Sequence, residues 1–171
     1  MKRIKAAIGL DQAKGFLYGA APIKQTTLDY FASLDIPILG AYGMSETTGT
    51  GCLSPPERYN QKSTGKTLPG AEIKLDNPDE KGQGEICFRG RHVMLGYLKN
   101  EAATRETIDN QGYLHSGDLG KFDENGFLFI TGRIKELIIT AGGENVAPVN
   151  IEDNFKEACP ICSNIMVIGE Q

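Results

Sequence analysis

Apolar positions along the chain switch between helical and strand periods, and each switch marks an element. Ile4, Ala7 and Ile8 share one face of a helix predicted over Lys2 to Ala13. Phe16-Leu17-Tyr18 predicts a short strand, and Gly19-Ala20-Ala21-Pro22 a turn that no large side chain obstructs. Ile23, Thr27, Phe31 and Leu34 recur at helical spacing, which predicts a helix over Ile23 to Ser33. Ile36-Pro37-Ile38-Leu39, bounded by turn signals, predicts a buried strand. Strand, helix and strand with short links form the α/β pattern, and both strand ends, at Gly19 and Gly40, would face one cleft.

Thr50 to Thr67 is polar and carries Pro55, Pro56 and Gly65, so it is expected to be a mobile loop. The period then changes to two. Ala71, Ile73 and Leu75 alternate with polar residues, as do Ile86 and Phe88, predicting a hairpin joined by Asn77 to Gly82. Asn100 is an N-cap signal with Glu101 in the first turn behind it. Tyr113 to Phe122 and Phe127 to Thr131 are expected to pair across a turn ending in Asn125-Gly126. Residues 68 to 132 thus predict a small antiparallel β unit, a distorted barrel or a meander. After Gly132 the pattern becomes strand (137–139), loop at Gly142-Gly143, helix (150–158) and strand (165–168), the start of a second α/β unit.

Composition narrows the picture. A chain of 171 residues with 40% hydrophobic and 23% charged residues is ordinary for a globular protein that buries a core. The net charge of −4, with scattered lysines and arginines, points away from a nucleic-acid partner. No apolar run approaches a membrane span, and Met1-Lys2-Arg3 leads into an amphipathic segment instead of a signal-peptide core. Cys159-Pro160-Ile161-Cys162 has redox spacing but follows a predicted helix, whereas a reactive thiol gains from a helix N-terminus. Free thiols in a reducing compartment are expected. Ser63-Thr64-Gly65-Lys66-Thr67 ends like a phosphate loop, but Asn60 stands where the first glycine is needed.

The stretch with the most chemistry is Gly40-Ala41-Tyr42-Gly43-Met44-Ser45-Glu46-Thr47-Thr48-Gly49. It follows a strand, where open α/β sheets bind ligands. Ser45 offers a hydroxyl to a phosphate and Glu46 a hard oxygen to Mg²⁺. Taken in order with Tyr18 to Pro22, Tyr113 to Asp118, Gly132 to Ile138 and Thr140 to Asn145, this stretch resembles the core motifs of the acyl-adenylate-forming superfamily. Within it the chain is most similar to long-chain acyl-CoA synthetases of the bubblegum type.

That resemblance implies an α/β fold comprising the C-terminal part of the large adenylate-forming domain (1–132, an α/β piece 1–67 and a β unit 68–132). A hinge at 133–136 and the start of the small C-terminal domain (137–171) would follow. It implies ATP, Mg²⁺ and coenzyme A as cofactor and co-substrates, and a long-chain fatty acid as the acid. Gly19, Ala20 and Ala21 would sandwich the adenine with Ala41, Tyr42 and Gly43. Ser45 would meet the α-phosphate and Glu46 the metal. Asp118 would accept the ribose hydroxyls, with Arg133 on ribose or phosphate oxygens. Lys135 would be the hinge residue, and Gly142 and Gly143 would lie near the pantetheine tunnel. Ser45 and Ser116 stand where the family more often has Thr, which keeps the hydroxyl. The family's phosphate loop would lie before Met1 and its late catalytic lysine after Gln171, so the expectation is part of such an enzyme, without turnover alone. A ligase for another carboxylic acid, or a catalytically dead nucleotide-binding remnant, stays open. The resemblance also implies a cytoplasmic enzyme or one peripheral on the endoplasmic reticulum or another membrane.

Overall fold

The structure is a computed structural model that describes residues 2–139 and 145–169. Helix α1 (Lys2–Ala7) is shorter than its apolar spacing predicts. Gly9 ends it at φ +74, where Leu10 N–H bonds Lys5 O at 2.7 Å and Gly9 N–H bonds Ala6 O at 3.1 Å. These two bonds form a Schellman stop, for which glycine carries no Cβ penalty.

Strand β1 (Phe16–Tyr18) and helix α2 (Gln25–Ser33) lie where expected. Strand β2 runs Ile38–Met44, so the first half of the glycine-rich stretch, Gly40 to Met44, continues the strand instead of forming a loop after it. Strand β3 (Gly49–Leu53) folds back on β2, and β4 (Lys66–Thr67) completes a sheet of order β1-β2-β3-β4. Only β1 and β2 are parallel; the other neighbours are antiparallel.

The segment expected to be a polar loop is instead a seam. Cys52, Ser54 and Ser63 are fully buried. Ser54 N–H bonds Gly40 O at 2.9 Å, Thr64 N–H bonds Leu128 O at 2.9 Å, and Leu128 N–H bonds Gly65 O at 2.8 Å. Backbone groups taken out of water need partners, and here each sheet supplies them to the other. Hydroxyl-rich composition misled the prediction, because two of those hydroxyls bond within the seam: Ser63 Oγ reaches Asn60 O and Thr64 Oγ1 reaches Leu128 O, while Ser54 Oγ is buried without a partner among the described residues.

The second sheet is a four-stranded antiparallel meander of β5 (Ala71–Asp76), β6 (Gly84–Gly90), β7 (Leu114–Phe122) and β8 (Leu128–Arg133). Helix α3 (Glu101–Thr107) interrupts it, and Asn100 caps it by accepting Ala103 N–H at 3.1 Å. The core forms between the sheets: Tyr42 and Cys52 from the first meet Ile86, Phe88, Leu114 and Leu128 from the second. Gly51 makes room for Phe88, whose ring carbon would lie 2.5 Å from a Cβ there. Burial pushes the Cys52 thiol up to about 12, so it is an inert core side chain.

Beyond the meander, β9 (Ile138–Ile139) pairs antiparallel with β10 (Asn145–Val146), and α4 (Pro148–Ala158) begins on a proline suited to a first helical turn. Residues 165–168 form no strand, contrary to expectation. No ladder reaches them among the described residues, and Val167 N–H bonds the Glu152 carboxylate at 2.9 Å instead. No helix among the described residues is long and apolar enough to cross a membrane.

Candidate functional site

Three separate stretches meet at one carboxylate. Tyr42 projects from β2, Asp118 from β7 and Arg133 from the end of β8. The Tyr42 hydroxyl donates to Asp118 Oδ2 at 2.7 Å, and Arg133 Nε donates to Asp118 Oδ1 at 2.8 Å. Register sets this geometry, since Asp118 and Arg133 are direct partners on the β7–β8 ladder. The Asp118 side chain is 13% exposed and that of Arg133 63%, so a sheltered acceptor faces an accessible cation. Burial, reinforced by the Asp118 charge, pushes the Tyr42 phenol far up, which keeps it a neutral donor. The Asp118 hydrogen bond and charge likewise hold Arg133 protonated. A polar hydroxyl and a fork of N–H groups around one carboxylate suit a sugar edge and its phosphate oxygens.

Asp118 is delivered by a bend. Gly117 adopts φ +74, and Asp118 N–H bonds Ser116 Oγ at 3.1 Å. Gly19 lies across from Ala41, since a Cβ on it would come within 3.1 Å of Ala41 O. Ala20 follows in the left-handed region at φ +67. The end of β1 and the middle of β2 therefore lie side by side, with Gly19, Ala20 and Ala21 exposed. Gly43 admits the turn back into β3, because any Cβ there would collide with the Gly49 carbonyl.

Ser45 and Glu46 sit on a 3₁₀ turn, Ser45–Thr47, just past β2. Thr47, fully buried, ties the turn by bonding Met44 O and Gly49 O, each at 3.0 Å. Ser45 is exposed. Glu46 takes the Tyr97 hydroxyl on Oε1 at 2.8 Å, while its backbone carbonyl accepts Met94 N–H at 2.8 Å. Its hard oxygens, half exposed on a rigid turn, fit a Mg²⁺ ion. Lys135 lies on the exposed turn Ile134–Glu136 directly after β8. Gly142 and Gly143 lie outside the described residues.

Two residues escaped the sequence. Tyr97 offers no spacing signal in a loop of mixed composition. Glu85 reads as one more outward position of an alternating strand, yet its carboxylate accepts Gly117 N–H at 2.9 Å and lies 2.7 Å from His115 Nδ1. Glu85, Cys87 and His115 bring their side-chain donors within 4.8 Å of one another, but each is already bonded within this network. His115 is accordingly half buried and satisfied. His92 is half buried against the Phe88 ring.

Comparison with known proteins bears on the family and the fold. The family model for AMP-binding enzymes matches residues 2–98. The chain is 55% identical over 170 residues to the long-chain-fatty-acid–CoA ligase ACSBG2 of Gallus gallus, covering 99% of this chain and 22% of that one. It is 48% identical over 171 residues to ACSBG1 of Rattus norvegicus, 24% of that protein. The chain thus spans about a quarter of the length of these relatives. Among solved structures, o-succinylbenzoate CoA synthetase of Bacillus subtilis bound to its acyl-adenylate superposes with a TM-score of 0.82 at 29% identity, over 99% of this chain and 37% of that one. The same enzyme with ATP and magnesium gives 0.75 at 30% identity, over 95% and 36%. Tyr42, Asp118 and Arg133 converging on a parallel–antiparallel sheet joined to a meander, with a family match across more than half the sequence, lead to one conclusion: the chain belongs to the family of AMP-binding enzymes.

Proposed function

We propose that this chain carries the nucleotide side of an ATP-dependent ligase that converts a long-chain fatty acid and coenzyme A to the acyl-CoA, AMP and diphosphate. The observation that carries this reading is the meeting of Tyr42, Asp118 and Arg133 at one sheltered carboxylate. The fatty-acid and coenzyme A assignments rest on the names of the relatives.

In the reaction the fatty-acid carboxylate attacks the α-phosphorus of ATP and diphosphate leaves. The coenzyme A thiol, losing its proton, then attacks the acyl carbon and AMP departs. No protein nucleophile is needed, so positioning and charge stabilisation supply the acceleration. Asp118 accepts the ribose hydroxyls and Arg133 donates to ribose or phosphate oxygens. Gly19 to Ala21 and Ala41 to Gly43 flank the adenine. Ser45 donates to the α-phosphate, and Glu46, relieved of Tyr97, would hold Mg²⁺, which neutralises charge on the phosphates. Residues 1–132 serve as the nucleotide-binding body, 133–136 as the hinge around Lys135, and 137–171, with Gly142 and Gly143, as the start of the part that closes for the thiol step.

The test is a chimera in which residues 2–171 replace the matching stretch of the Gallus gallus ligase. Acyl-CoA formation within about tenfold of the parent is expected. Asp118→Ala in that chimera should raise the KM for ATP by about 30-fold or more, since loss of a charge-assisted contact is worth about 2–4 kcal/mol. A folded chimera that forms no acyl-adenylate would sink the reading.

A further inference from the structure

We propose that Glu85 is a positioning residue for Asp118: its carboxylate, shared between Gly117 N–H and His115, fixes the Ser116-Gly117-Asp118 bend so that Asp118 meets Tyr42 and Arg133. This inference deepens the nucleotide-site reading and rests on it for its functional meaning. The β6–β7 ladder loses register between Glu85 and Cys87, with Glu85 opposite Leu119 and Cys87 opposite His115. Between those rungs β6 has only Ile86, whereas β7 has Ser116, Gly117 and Asp118. Such a bulge strips the extra residues of partners on the β6 side, and backbone donors facing that side need other acceptors. Ser116 Oγ takes Asp118 N–H, and Glu85 Oε1 takes Gly117 N–H at 2.9 Å. Glu85 Oε2 is engaged by His115 at 2.7 Å, so one side chain pins the residue at the base of the bend and the residue before Asp118. With a Glu85 side chain 19% exposed, water competes poorly for these bonds.

Carboxylates, a thiol and one lysine surround His115. Cys87 Sγ lies 3.4 Å from Nδ1, and Asp109 Oδ2 lies 3.6 Å from Nε2. Lys74, the nearby cation, sits between Asp76 at 3.4 Å and Asp109 at 3.7 Å. Burial disfavours the imidazolium, but Glu85, Asp76 and Asp109 outweigh it, and the His115 pKa is raised above its ordinary value. The Glu85 carboxylate thus favours a proton on His115, and the bond they share strengthens when the ring is charged.

The experiment is NMR on the isotope-labelled chain, following the Gly117 amide, the His115 ring and the Arg133 Nε–H, with AMP titration alongside. In the unaltered chain Gly117 is expected to be protected and Arg133 Nε–H to show a bonded shift. Glu85→Ala should speed Gly117 exchange at least about tenfold, move Arg133 Nε–H toward its free value, and weaken AMP about tenfold while β5 to β8 amides hold. Glu85→Gln keeps one acceptor and the volume; it should lower the His115 midpoint and broaden Arg133 Nε–H, and it decides the matter if the alanine variant does not fold. An Arg133 Nε–H signal unchanged in the folded variant would overturn the proposal, whatever Gly117 does. Absence of AMP binding by the unaltered chain would instead count against the nucleotide reading and leave the Arg133 signal to judge Glu85.

Discussion

At the scale of the residue, the site depends on one acceptor shared by two donors. The Tyr42 phenol is buried and bonds Asp118; Arg133 reaches the same carboxylate from solvent. The two contacts should therefore differ in energy. Asp118→Ala leaves a buried hydroxyl without its partner, which costs about 1–3 kcal/mol of stability. Arg133→Ala removes a largely exposed cation and should cost under about 1 kcal/mol. Urea unfolding of both variants, with Tyr42→Phe to close a double-mutant cycle against Asp118→Ala, checks this; equal losses for Asp118→Ala and Arg133→Ala would refute it. Tyr42, Asp118 and Arg133 were legible from their motifs one by one. Their contact was not, because Tyr42 and Asp118 lie 76 positions apart and only the packing of two sheets joins them. Glu85 was illegible for a related reason: its partner depends on a bulge, and a bulge leaves no mark in an alternating pattern.

At the scale of the element, the strands of the meander were read well because local turns fix their register. Asp123 Oδ1 accepts the Asn125 and Phe127 N–H groups, and Gly126 supplies φ +78. The β2–β3 hairpin was missed because glycine and hydroxyls normally mean loop. Here glycines make a strand possible by letting backbones touch. Gly43 is the sharpest case: a methyl group would strike the Gly49 carbonyl, which is backbone and cannot swing aside. Gly43→Ala should destabilise the chain by about 2–4 kcal/mol, at the upper end of single substitutions. Gly70→Ala meets no atom within 4 Å, although its φ of +88 still strains alanine. A smaller loss of about 1–2 kcal/mol is expected there. Thermal unfolding that ranks Gly70→Ala above Gly43→Ala would show that β2 and β3 are less intimately paired than described.

At the scale of the whole molecule, burial is uneven. The meander, the seam and the flanks of β2, at Ile36 and Thr47, contain the fully buried side chains, whereas among the described residues from Arg133 onward none is fully buried. Ile151, Phe155, Met166 and Ile168 all remain substantially exposed. Local opening follows buried contact, so α4 amides should exchange at least about 100-fold faster than those of β6 and β7. The edge strand β1, with Leu17 61% exposed, should also exchange faster than the meander. Hydrogen exchange read residue by residue decides this, and uniform protection would contradict it. The missing fourth element, residues 165–168, belongs to the same scale: a short apolar run predicts a strand, but a strand exists only where a neighbour supplies a ladder.

The way α4 meets the meander has a mechanical consequence. Ala147, just before α4, faces Gly132 so closely that a Cβ there would lie 3.0 Å from Ala147 Cβ. Arg133, one residue on, is fastened to Asp118 by the ladder, and the exposed turn with Lys135 begins immediately after it. Under the rotation proposed at Lys135, Arg133, proposed to contact the nucleotide, would stay with the meander, and the stretch beyond it would swing. Gly132 would then be a plain bearing, a smooth backbone surface with no side chain to catch the passing segment at Ala147.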